Sequence, residues 1–142
     1  MKLRNSLLLA TALFTALPLA YADGASCSYV NGGIGEGDQA MMRRIAKEFP
    51  LQMEFSEGKP GAFVADIPVT ITDEHNKVVL NLSNVGPMLY VRLPKGKYTI
   101  KAVSNGVTQS SKVTLDGKHS KHVILHWDRP LSPDEAAREK GE

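Results

Sequence analysis

The sequence predicts a mainly β protein, a seven-stranded antiparallel β-sandwich with one N-terminal amphipathic helix. Three observations predict it. Short runs that alternate apolar and polar residues recur from Leu51 to Trp127, and a period of two marks a half-buried strand. Turn signals separate nearly every pair of runs, among them Pro94-Lys95-Gly96, Asn105-Gly106 and Asp116-Gly117. One clear stretch of the remainder, Asp38 to Phe49, has helical spacing instead.

The stretch Met88 to Ala102 organises the strands. Leu89, Tyr90, Val91 and Leu93 form one run, and Tyr98, Ile100 and Ala102 fall on every second residue of the next. Pro94 presets a turn φ between them and Gly96 tolerates positive φ, so the pair reads as a hairpin. The other strands follow in order: Leu51–Ser56, Ala62–Thr72, Val78–Leu82, then Val107–Leu115 and Ser120–Trp127 after the hairpin. Pro68 has no N–H to donate, which predicts an edge or a break in the ladder there. Asn105-Gly106 is a two-residue hairpin signal. On the last strand Val123, Leu125 and Trp127 point one way, toward a core shared with Tyr98 and Ile100. His122, Ile124 and His126 point the other.

Ahead of the strands, Asp38 is placed to cap the helix. Met42, Ile45, Ala46 and Phe49 make its apolar side, with Arg43, Arg44, Lys47 and Glu48 on the others, and Pro50 stops it. Residues 23–37 read as a Gly-rich leader. The glycines from Gly32 to Gly37 fail the dinucleotide pattern, because Asp38 stands where its last Gly belongs. Residues 129–142 read as an exposed, charged and mostly mobile tail. Within it Ser132-Pro133-Asp134-Glu135 has capping-box form.

The first 22 residues address the chain rather than build the fold. Lys2 and Arg4 precede an apolar run, Leu7 to Leu19, and Ala20-Tyr21-Ala22 supplies small residues at a cleavage site. This is the form of a secretory signal peptide, so a mature chain starting at Asp23 is expected, periplasmic or secreted, with no transmembrane segment left. The seventeen basic residues then fall to fifteen, equal to the fifteen acidic ones. A net charge of zero removes the electrostatic case for nucleic acid. Cys27 is the one cysteine, so no internal disulfide can form. Ala25-Ser26 before it suits a lipoprotein motif, whereas Gly24 does not. A free thiol in a flexible leader is expected, with a lipid-anchored envelope protein as an alternative.

Leu93, Pro94, Gly96 and Tyr98 form an L-P-x-G-x-Y run, preceded by Ile67-Pro68-Val69-Thr70-Ile71 and followed by a hairpin and a closing strand. Over roughly Leu51 to Trp127 this resembles carboxypeptidase regulatory-like domains, which belong to the transthyretin-like β-sandwiches. In such domains L-P-x-G-x-Y marks the turn into a central strand. The resemblance implies a transthyretin-like fold over residues 50–128 and no carboxypeptidase activity, since these modules accompany enzymes and surface proteins. Hydroxyisourate hydrolases of similar fold carry a C-terminal Y-R-G-S, where this chain reads Trp127-Asp128-Arg129-Pro130. Pilus-type sandwiches that close a Lys–Asn bond often carry an E-T-x-A-P run, which is missing here.

Candidate chemistry is sparse. His75, His119, His122 and His126 raise a metal site. His122 and His126 share a face of a straight strand ~13 Å apart, too far for one zinc ion. No G-x-S-x-G elbow is present. Asp73-Glu74 and Asp134-Glu135 fall where water solvates them. The residues therefore give no catalytic, cofactor-binding or metal-ligating set, and no cofactor. The expectation is a non-enzymatic exported module, binding or supporting a protein or cell-envelope partner. A small metal-dependent or hydrolytic periplasmic enzyme is the alternative of another class.

Overall fold

A computed structural model describes residues 27–141. The expected signal peptide and its cleavage site lie outside the described residues. Nine strands and two helices follow in order: β1 (Tyr29–Gly32), α1 (Glu36–Ile45, continued by a 3-10 turn, Ala46–Glu48), β2 (Leu51–Glu57), β3 (Ala62–Phe63), β4 (Ile67–Asp73), β5 (Val78–Val85), β6 (Met88–Val91), β7 (Gly96–Ser104), β8 (Val107–Leu115), β9 (Lys121–Trp127) and α2 (Pro133–Glu139).

They form two sheets. The four-stranded sheet has the order β5-β4-β7-β8. In the five-stranded sheet β2 is central. It pairs antiparallel with β6 and then β3, and parallel with β9 along its whole length, while β1 pairs antiparallel with the far side of β6. The inward faces supply one core, in which Leu51, Met53, Phe55, Val69, Ile71 and Ile100 are fully buried. Trp127 is buried beside Phe55, their ring centroids 6.5 Å apart, and its Nε1–H donates to the Val107 carbonyl at 2.8 Å.

Several expectations are corrected. The described residues form nine strands rather than seven, and the sandwich is mixed rather than wholly antiparallel. The single strand expected over Ala62–Thr72 is divided: the Val64 N–H donates to the Phe55 carbonyl, and Asp66 takes a positive φ of 57° that turns the chain from one sheet into the other. The break expected at Pro68 is present: Pro68 lies inside β4, but the β7 ladder begins only at Val69 and the β5 register shifts between Ile67 and Val69, so no ladder donor is lost. The stretch read as a hairpin is not one. β6 belongs to the five-stranded sheet and β7 to the four-stranded sheet, so Pro94–Gly96 carries the chain across the sandwich. Tyr98 fixes that crossing by donating its hydroxyl to the Pro94 carbonyl at 2.8 Å. β7 is a central strand, and its hairpin with β8 has a two-residue loop in which Asn105 and Gly106 both take positive φ.

The leader contains an ordered strand, β1, rather than only a loop. Asn31 fastens it, donating to the Asn84 carbonyl at 2.9 Å and accepting from the Gly86 N–H at 2.7 Å. Gly86 must be glycine for this approach, because a Cβ there would stand 2.8 Å from the Gly32 carbonyl oxygen. Helix α1 begins at Glu36, before the expected Asp38. The Asp38 carboxylate reaches back to accept from the Gly33 and Ile34 amides at 2.6 and 3.1 Å, so it fastens the approach to the helix.

The C-terminal segment is tied down rather than free. Ser132 and Glu135 form the capping box of α2. Arg129 bonds Glu135 through Nη1 and Nη2, both at 2.7 Å, and reaches Glu57 of β2 through Nε at 3.0 Å. Lys59 pairs with Glu139. Among the described residues no helix is long and apolar enough to cross a membrane.

Candidate functional site

Strand alternation gives the five-stranded sheet an outward face as well as a core face. α1 and the following 3-10 turn cover part of the outward face. Met42 and Phe49 lie against Met88 and Tyr90 of β6, and all four are buried. The Phe49 and Tyr90 rings stand 6.0 Å apart, and the Arg92 guanidinium lies 4.7 Å from the Phe49 ring centre. Gln52 of β2 donates its side-chain amide to the Ala46 carbonyl at 2.7 Å, closing the edge of the covered part. The helix therefore shields sheet surface. Arg43 and Arg44 lie exposed on its far side.

The rest of this outward face is open. Pairing of β3, β2 and β9 sets Phe63, Ser56 and His126 in one row across three strands. Ser56 is 8% exposed, and its Oγ lies 2.9 Å from His126 Nδ1. His126 Nε2 is 4.0 Å from the Asp128 carboxylate, which is fully in water. Toward the start of β9, His122 Nε2 stands 3.5 Å from Glu54 Oε2. Between the two histidines Ile124 is 57% exposed, and Phe63 at the end of the row is 40% exposed. Tyr90, beneath the helix, has its phenol pushed up, chiefly by burial and further by the Glu54 charge. The result is a shallow strip with two exposed apolar side chains and a hydroxyl–imidazole pair between them.

The structure separates the four histidines. Only His122 and His126 share this strip. His119 pairs with Asp116 at 2.7 Å in the β8–β9 turn, and that contact with the turn amides holds the Asp116 carboxyl well below its usual range. His75 lies 3.9 Å from Glu74 in the β4–β5 turn. Among the described residues no group of three or more His, Cys, Asp or Glu is placed to hold a metal ion. Cys27 is not in a flexible loop: it packs against the core, its Sγ lies 3.4 Å from the Arg92 carbonyl, and burial pushes its thiol up. Asp73 accepts from the Lys77 and His75 amides, which hold its carboxyl down.

The Ser56–His126 pair was missed in the sequence because it joins residues 70 apart through a parallel pairing. The outward placement of His122, Ile124 and His126 was legible.

No family model matches the chain. No curated protein matches it either. Among solved structures it is similar to the 5-hydroxyisourate hydrolase of Klebsiella pneumoniae, at 15% identity over 57% of this chain and 90% of that one, with a TM-score of 0.45. The expectation that the chain is not an enzyme is corrected here. This similar structure is an enzyme, and one sandwich architecture serves catalytic and non-catalytic proteins alike.

Proposed function

We propose that this chain is an exported β-sandwich module of the carboxypeptidase regulatory-like kind, and that it binds a protein partner of the cell envelope through the open strip of the five-stranded sheet. One observation carries the reading. Phe63 and Ile124 are exposed on the same sheet face as the Ser56–His126 pair, while the neighbouring part of that face is sealed by α1. Apolar side chains interleaved with hydrogen-bonding groups are what the centre of a protein interface offers, and rigid strands hold them in place. The export half of the reading rests on the basic start, apolar run and Ala20-Tyr21-Ala22. It is tested by N-terminal sequencing of protein from the envelope fraction, which should begin at Asp23. A chain starting at a modified Cys27 would replace it with lipid anchoring. The binding half is tested with Phe63→Ser/Ile124→Ser, which should keep the fold and lose the partner.

A second reading has its own observation, the 2.9 Å contact between Ser56 Oγ and His126 Nδ1. An imidazole at that distance can take a hydroxyl proton, which is the first requirement of a hydrolytic serine. The Asp128 carboxylate at 4.0 Å is too distant and too hydrated to fix the imidazole as an orienting acid does. A fluorophosphonate probe decides between the two readings. Labelling that disappears in Ser56→Ala would favour hydrolysis, and an unlabelled wild type would leave binding as the role of the strip.

A further inference from the structure

At one end of the sandwich three connections border an open cleft of about 350 Å³. Its lining includes Lys47 and Glu48 from the 3-10 turn, Leu93 to Lys95 from the crossing into β7, and Gly117 to Ser120 from the β8–β9 turn. We infer that this cleft binds a phosphoryl group through Lys47, Lys95 and Lys118.

The first argument is charge. Three ammonium groups come from three separate segments, and among the described residues none of them has an ion-pair partner. The nearby carboxylates are already engaged. Glu48 lies 3.6 Å from Arg92. Asp116 accepts from the Lys118 and His119 amides, both at 2.8 Å, and contacts the His119 ring at 2.7 Å. Glu48 is thus the one carboxylate in the lining against three lysines, and the cleft keeps an excess of positive charge.

The second argument is rigidity. Each wall is fastened by a hydrogen bond of its own. Tyr98 holds the Pro94 carbonyl at 2.8 Å. Ser120 donates its hydroxyl to the Phe49 carbonyl at 3.1 Å, and the Lys121 N–H donates to the Pro50 carbonyl at 2.7 Å, joining the start of β9 to the end of the 3-10 turn. Asp116 sets the fold of the third wall through the bonds given above. The lysine stems leave fixed points, so less ordering cost falls on the ligand.

The third argument is shape. A planar carboxylate is best matched by the flat fork of an arginine, and no arginine lines the cleft. Lysines are point charges with rotatable donors. Lysines carried on three walls of the cleft, each with a rotatable ammonium, suit a tetrahedral anion. Leu93, Pro50 and Pro94 beside them give an apolar surface for whatever carries the phosphoryl group.

Backbone amide shifts of the ¹⁵N-labelled chain, titrated at constant ionic strength, test this. One arm uses pyrophosphate and the other phosphatidylglycerol vesicles, against phosphatidylcholine vesicles as a blank. Saturable shifts centred on Lys47, Lys95 and Gly117 to Ser120 are expected. If they appear with pyrophosphate the source is a free phosphate ester, and if only with the anionic vesicles it is a lipid headgroup. Lys47→Ala/Lys95→Ala/Lys118→Ala should weaken binding at least about tenfold, with spectral dispersion unchanged, whereas Lys101→Ala/Lys140→Ala should leave it intact. Shifts in neither arm, shifts scattered over all lysines without saturation, or equal affinity in the triple variant would overturn the assignment.

Discussion

Ser56 and His126 are 70 residues apart in the chain, and their side chains meet at 2.9 Å on the outward face of the five-stranded sheet. The parallel pairing of β2 with β9 brings them together. Glu57 and Trp127, the next residues on the same two strands, are paired in that same register. The contact therefore reports the register of the whole β2–β9 ladder, and it forms the floor of the open strip.

That contact should appear as a measurable coupling. Ser56→Ala, His126→Ala and the double variant should unfold in urea with nearly equal losses, giving a coupling of about 0.5–1.5 kcal/mol, the usual net value of such a bond. Additive losses in this cycle would mean that the two side chains do not interact in solution.

The helix seals sheet surface, and Met42 is its fully buried contact. Met42→Ala should cost about 2–5 kcal/mol in denaturant melts. Arg43→Ala/Arg44→Ala on the exposed side should change stability by less than about 0.5 kcal/mol. A large loss from the arginine pair would place them in the structural contacts of α1.

Trp127 packs its ring beside Phe55 within the five-stranded sheet and ties that sheet to the other through its bond to the Val107 carbonyl. Trp127→Ala should cost about 3–5 kcal/mol. Trp127→Phe should recover most of the packing but not the bond, leaving a loss that includes about 0.5–1.5 kcal/mol for the missing donor. Melts that show no loss for Trp127→Ala would put the indole on the surface.

The C-terminal helix should release in acid. Arg129 and the Ser132 amide hold the Glu135 carboxyl at about 2, below its ordinary 4.5. A carboxyl depressed in the folded state stabilises at pH above its unfolded value and loses that contribution as pH falls through its folded value. Docking of α2 should therefore be complete above pH 4.5 and fade toward pH 2. Protection factors of the amides from Ala136 to Glu139, taken relative to the intrinsic exchange rate at each pH, should fall over that window. In Arg129→Lys, which cannot form the two-point contact, the loss should be smaller and should finish at a higher pH.

The strands were legible where one face is buried, because alternation then survives in the residues themselves. Leu51–Phe55, Tyr98–Ala102 and Val123–Trp127 show it, and all three have their apolar side in the core. β1 was hidden because Tyr29-Val30-Asn31-Gly32 is held by Asn31 and the β6 ladder rather than by an apolar stripe. β3 has two residues, too few for any period. The crossing at Pro94–Gly96 has local hairpin chemistry, and which sheet each flank joins is decided by long-range pairing. The strip was half legible for a similar reason. His122, Ile124 and His126 could be placed on one side of a strand, but Ser56, Glu54 and Phe63 come to them only through the β2–β9 and β2–β3 pairings. The capping box of α2 could be read locally, whereas the Arg129–Glu57 tie spans 72 residues.

The claim that the strip receives a partner is tested most directly by photo-crosslinking in the organism that makes the protein. A photoreactive residue replaces Ile124 on the strip or, in a second strain, Val107, which is comparably exposed on β8. One discrete adduct at position 124, missing at position 107 and lost when Phe63→Ser is added, is the predicted result. No adduct at position 124, or the same adducts from both positions, would contradict it.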